Sequence, residues 1–287
     1  MMIEFMFQYF ESIGISRNTV FTVLTSILIF GIGFIANGVI KALEQFRRRR
    51  RIRKLVCVYL QSTIPQIERQ CEYLLALSKQ LTDKKHADVV YKESVIRSDF
   101  LRTVPQIDLF NSLVYGYGEH SKKRIAMYNK MSDAMDRIER NRVAARSANE
   151  QYDIDYNRYF SKFNDSIGEM QRAYDLFRSH AERNNIKPSA DPFLSEFDDV
   201  ASKYGTSKTL NDPDYLIATY VVPVKEIAIK YYTDPRAVGL IHLANTAKIS
   251  NENRDILMMT LSLYYAEVVQ ALTGAEKDLK EALDCWS

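Results

Sequence analysis

Cysteine is scarce in this chain: Cys57, Cys71 and Cys285 are the only three in 287 residues. An odd set without CxxC spacing does not build a disulfide framework. Cys57 and Cys71 fall on one predicted helix, about 21 Å of rise apart, too far to bridge. All three read as reduced thiols. Histidine is nearly as rare. Of His86, His120, His180 and His242, no two share a helical face at close spacing, and none has a cysteine beside it. That pattern excludes a dedicated zinc site and implies no metal or cofactor. A Walker A sequence is missing. The nearest glycine-rich stretch, Gly116-Tyr117-Gly118-Glu119-His120-Ser121-Lys122-Lys123, reads as a break before a helix rather than an anion cradle. There is no G-x-S-x-G for a hydrolase nucleophile. Asp153 with Asp155, and Asp198 with Asp199, read as acidic surface. Internal repeats are absent, and the one low-complexity tract is a run of arginines.

What the chain does have is a long uncharged stretch. Val20 to Ile40 contains no Asp, Glu, Lys or Arg. As a helix at about 1.5 Å per residue it covers the roughly 30 Å of a bilayer's hydrocarbon. Arg47, Arg48, Arg49, Arg50, Arg51, Arg53 and Lys54 follow, against Arg17 alone on the other flank. Basic residues stay in the cytoplasm, so the reading is an outside amino terminus and a cytosolic carboxyl-terminal domain in the cell membrane. The same seven side chains are expected to contact anionic lipid headgroups. Residues 1–18 form a short extracytoplasmic amphipathic segment, 19–46 the transmembrane helix, 47–54 the basic junction and 55–287 a cytosolic bundle. A sub-boundary is expected near 184–190.

The spanning segment carries a seam. Ser26, Phe30, Gly33, Asn37 and Ile40 recur at spacings of 4, 3, 4 and 3. Gly33 admits a close helix, and Asn37 wants a hydrogen-bond partner in hydrocarbon. Ser26, Phe30, Gly33 and Asn37 are therefore the candidate residues for association with another copy. A strict GxxxG is absent.

Net charge needs splitting by position. Residues 1–54 hold 9 Lys and Arg against 3 Asp and Glu, which leaves 30 against 33 in the remainder. A slightly acidic domain argues against a broad nucleic-acid-binding face.

The fold expected is all-α, with one N-terminal spanning helix followed by long, coiled-coil-like helices. The first helix should continue through the arginines, with Pro65 kinking or restarting it. Ile64, Ile67, Cys71, Leu74 and Leu81 extend its apolar stripe. Val89 to Leu101 reads as a loop or short helix. Pro105 opens a helix with Leu109, Phe110, Leu113 and Val114 on its buried face. Two further patterns, Ile125 to Ile138 and Tyr156 to Phe177, predict an antiparallel pair turning at Arg146 to Gln151. Phe193 to Tyr204 predicts a short helix closed by Gly205. Tyr215 to Tyr232 predicts a helix kinked at Pro223. Asp234-Pro235 predicts a capped helix start. A last helix is expected to be capped by Ser250 or Asn251, with Trp286 closing the bundle.

One catalytic candidate emerges. Arg236 and His242, separated by five residues, resemble the arginine–histidine motif of the all-helical HEPN ribonucleases. The resemblance implies that Arg236 positions phosphate and His242 handles the proton, with two such pairs meeting across a dimer. Ala237 stands where that family usually has a polar residue, and an ideal helix separates the two side chains around its axis. The leading expectation is instead a non-enzymatic, self-associating membrane module with lipid contacts and a possible cytosolic protein partner. An oligomeric membrane-perturbing effector and a tethered ribonuclease are the alternatives.

Overall fold

In the computed structural model the described residues are 2–83, 91–92, 101, 103–115, 119–187, 190–205 and 212–286. They are helical apart from the connecting turns, with no strand among them. The elements are α1 (Met2–Ser12), α2 (Arg17–Thr82), α3 (Gln106–Val114), α4 (Glu119–Arg183), α5 (Pro192–Gly205), α6 (Pro213–Leu216), α7 (Val222–Lys230) and α8 (Pro235–Trp286). A π-helical turn, Ile217–Val221, joins α6 to α7. The expected loop or short helix from Val89 to Leu101 lies outside the described residues except at 91, 92 and 101, and the Gly116–Gly118 break lies wholly outside them.

The long helices are longer than their sequence signals. α4 is one helix of 65 residues, not an antiparallel pair. The stretch Arg146 to Gln151 contains neither glycine nor proline, so nothing in it opposes helix. Its polar residue Asn149 turns inward, accepting from the Tyr265 hydroxyl at 2.9 Å and donating to Asp153 at 3.1 Å. The final helix likewise begins at Pro235, and Ser250 and Asn251 are buried inside it rather than capping it. Asn251 spends its amide on Asp214 at 2.9 Å. α2 runs through Pro65 without restarting. Gln61 and Pro65 are both exposed, so the carbonyl that proline leaves without a donor faces solvent.

Other expectations hold. α5 spans Pro192–Gly205. α4 ends at Arg183, with Asn185 in the left-handed region at φ 53° and the Ile186 amide bonded back to the Ala181 carbonyl at 2.9 Å. The π turn sits directly before Pro223, whose missing N–H already breaks the regular ladder there. The Asp234 carboxylate accepts from the Arg236 amide at 2.9 Å at the start of α8.

The chain divides into two compact units, and the division falls inside α2, α4 and α8. Unit 1 comprises Met1–Pro65, Arg97–Ala134 and Lys277–Ser287; unit 2 comprises Gln66–Ile96 and Met135–Glu276. In unit 1, Val56, Leu60, Leu109, Leu113, Val114, Met131, Leu279 and Trp286 are buried. Unit 2 has an aromatic-rich core in which Phe163, Met170, Phe193, Phe197, Tyr220, Val224, Leu240 and Ala244 pack together. Elsewhere in unit 2, the Ser78 and Thr82 hydroxyls meet the Ser262 hydroxyl at 2.9 and 3.0 Å, tying α2 to α8.

Candidate functional sites

Two helices among the described residues are long and apolar enough to cross a membrane. In Asn18–Thr82 the most apolar window has mean hydropathy 2.2 and is 6% buried; in Pro235–Trp286 the values are 1.3 and 39%. The sequence pointed to the first alone. The two differ in where their apolar residues go. α2 exposes Phe21, Ile27, Leu28, Ile29, Phe30, Ile32, Phe34 and Ile35, which lie all around the helix. α8 buries Leu240, Ala244, Ala247, Met258, Leu261, Tyr265, Val268 and Leu272. The α8 pattern is that of a core helix. The α2 pattern leaves large apolar area with nothing among the described residues against it.

Within the seam, Ser26, Phe30, Gly33 and Asn37 are all exposed. A Cβ built at Gly33 meets nothing within 4 Å. The structure thus leaves this face open.

The seven basic residues separate into two sets. Arg48 pairs with Asp108 at 2.5 Å. Arg49 lies 4.1 Å over the Tyr115 ring. Arg53 donates twice to the Ser112 carbonyl, at 3.3 and 3.1 Å. These three hold α3 against α2. Burial, seconded by the nearby Arg124, pulls the Arg53 guanidinium below its usual pKa. Arg47, Arg50, Arg51 and Lys54 are exposed, with no ion pair among the described residues. The sequence showed seven equal charges; the side of the helix each occupies became legible only once α3 was placed.

Arg236 is fully engaged. Its Nη1 and Nη2 donate to Asp191 at 2.7 and 2.9 Å, while Nε and Nη2 donate to Asp234 at 3.0 and 2.7 Å. The guanidinium lies 4.8 Å from the Phe193 ring centroid and 5.6 Å from that of Phe177. Hydrogen bonds from Arg236 hold the carboxyls of Asp191 and Asp234 below the usual carboxylate range. The same bonds raise the pKa of Arg236 itself. Two carboxylates occupy the planar fork that a phosphate would need. His242 is exposed, and its backbone carbonyl accepts from Thr246 at 3.0 Å. What sequence reasoning took as a possible phosphate-binding arginine is a clamp joining the start of α5 to the start of α8. Asp191 immediately before Pro192 was the signal available for it.

Two of the clefts among the described residues, both in unit 2, are large enough to hold a small ligand. One, of about 420 Å³, is lined by Leu81, Thr82, Asp255, Ile256, Met259 and Leu263 among others. It is apolar and offers no nucleophile–base pair. Residues 84–90, which follow directly, lie outside those described. The other, of about 270 Å³, is lined by Arg178, Glu182, Lys187, Asp191, Asp198 and Asp199 with apolar neighbours. Its charges are largely spent: Asp191 on Arg236, Glu182 on Arg178 at 3.1 Å, and Asp198 on the Tyr174 hydroxyl. No group of His, Cys, Asp and Glu among the described residues is arranged to hold a metal ion.

Comparison with protein-family models, with curated proteins and with solved structures returned no match.

Proposed function

We propose that this chain is a single-pass membrane-anchored assembly module without catalytic chemistry of its own. The amino-terminal part of α2 crosses the bilayer, the amino terminus faces outward, and the helical bundle lies in the cytosol on the arginine side. Copies associate through the Ser26–Phe30–Gly33–Asn37 face. The bundle is then held at the membrane at high local concentration, where it also meets a protein partner.

The observation that carries this reading is the exposed apolar surface of α2 from Phe21 to Phe46, which nothing among the described residues covers. Hydrocarbon is the surrounding in which that surface costs least. Arg48, Arg49 and Arg53 tie α3 to α2 just past this apolar segment, at the headgroup level of the proposed placement.

Crosslinking of the full-length chain in native membranes tests the assembly half. The wild type is expected to give multimers, and Gly33→Leu fewer of them. Monomers throughout contradict it. Because Gly33 faces open space, the substitution meets no part of its own chain.

A further inference from the structure

α2 is one uninterrupted helix, so its faces keep their phase from the membrane segment into unit 1. Five helical turns take about 18 residues. Arg51 therefore lies beneath Gly33, Leu55 beneath Asn37, and Val58 beneath Ile40. All six are exposed. The residues that α2 turns toward its own unit, Val56, Leu60 and Ile64 with Arg49 and Arg53, lie on the other side of the helix. Arg48, paired with Asp108, stands at the edge of the open face and stays 65% exposed. The open face thus continues past the arginines, met by α3 only at that edge.

Its chemistry comes in three levels. Phe30, Gly33, Asn37 and Ile40 lie within the apolar segment. Arg47 and Arg51 follow within about 8 Å of Phe46, the depth of the headgroup layer. Leu55 and Val58, 52% and 54% exposed, begin about 13 Å beyond Phe46, clear of the lipid. A lipid tail covers the first level but cannot reach the last. A second copy of α2, parallel because both share one membrane, covers both. It also brings Arg47 and Arg51 of the two chains face to face. That convergence is repulsive unless an anion stands between, and a phosphate accepts from guanidinium groups on two sides.

We propose that α2 pairs in parallel with α2 of a second copy along this whole face, and that phosphates of anionic lipid headgroups bridge Arg47 and Arg51 across the pair. This rests on the self-association proposed above and adds a lipid requirement to it. Pairing then reports the charge of the membrane: copies join where anionic lipid is plentiful and separate where it is not.

The test is energy transfer between donor- and acceptor-labelled full-length chains in vesicles. One set is all phosphatidylcholine, and in the other a third of the lipid is phosphatidylglycerol. Pairing is expected to be at least about tenfold tighter in the anionic set, a difference of about 1.4 kcal/mol. The double variant Arg47→Gln with Arg51→Gln should lose the lipid dependence and pair in both sets. Val58→Cys, made with Cys57→Ser, should form an intermolecular disulfide in anionic vesicles only. Equal wild-type pairing in the two sets overturns the phosphate bridge while leaving self-association standing. Monomers in both sets overturn the bridge and self-association together. Recovery of pairing in phosphatidylcholine on adding inorganic phosphate overturns the assignment to lipid.

Discussion

α2 and α8 are both long and apolar, yet their residues meet different surroundings. Along α8 the buried positions recur with helical period, and the opposite side mixes polar residues with a few exposed apolar ones, Val238, Ile249, Ile256, Met259 and Leu263. Along the first part of α2 the exposed apolar residues occupy every side. Hydropathy summed over a window scores both as able to span a membrane. The distribution around the axis separates them: a one-sided stripe makes a core, and a uniform apolar cylinder needs an apolar solvent. The basic run Arg47–Lys54 follows the cylinder, whereas α8 has acidic and basic residues scattered along its length.

That contrast breaks most readily in the core. Phe197 is fully buried among Phe193, Tyr174 and the α7 residues. Phe197→Ala is expected to lower the unfolding free energy of the full chain in detergent by about 3–5 kcal/mol. Denaturant unfolding followed by circular dichroism measures it. The matching change in the anchor, Leu28→Asp, should leave that unfolding midpoint unmoved. It should instead weaken membrane insertion by about 2.5–3.5 kcal/mol, read as the fraction of chain recovered with membranes after alkaline extraction.

Smaller effects sharpen the account of the clamp. Arg236→Ala leaves Asp191 and Asp234 facing each other without their shared donor. A loss of about 1–2 kcal/mol is expected, toward the low end for a group still partly in contact with water. His242→Ala should cost less than about 0.5 kcal/mol, since the side chain is exposed. The clamp also predicts an acid dependence. Asp191 and Asp234 are held below their usual pKa, so their contribution is fully present above the unfolded carboxylate pKa of about 4. It is lost as pH falls through the lowered values. Unfolding midpoints measured from pH 7 to pH 3 should fall more steeply at the acid end for the wild type than for Arg236→Ala.

The same physics explains what was readable in the sequence. Periodic apolar positions such as Phe163, Ile167 and Met170, or Leu261, Val268 and Leu272, announce helices and their buried sides directly, and all six are buried. The capped helix start at Asp234 before Pro235 was also legible, and so was the irregularity at Pro223. Polar stretches misled. Arg146 to Gln151 and Ser250-Asn251 look like turns because their side chains suit caps and loops. Here Asn149 and Asn251 find partners on distant elements, Tyr265 and Asp214, so the helix absorbs them. No local pattern records those pairings. Nor could the arginine run say which of its members α3 takes, because that depends on Asp108, Ser112 and Tyr115 arriving from about sixty residues away.

Labelling with a membrane-impermeant thiol reagent tests the central placement most directly. In intact cells, a Ser12→Cys variant is expected to react at position 12 while Cys57, Cys71 and Cys285 stay unlabelled until the membrane is opened. Labelling of Cys57 or Cys285 in intact cells, with position 12 protected, would contradict it.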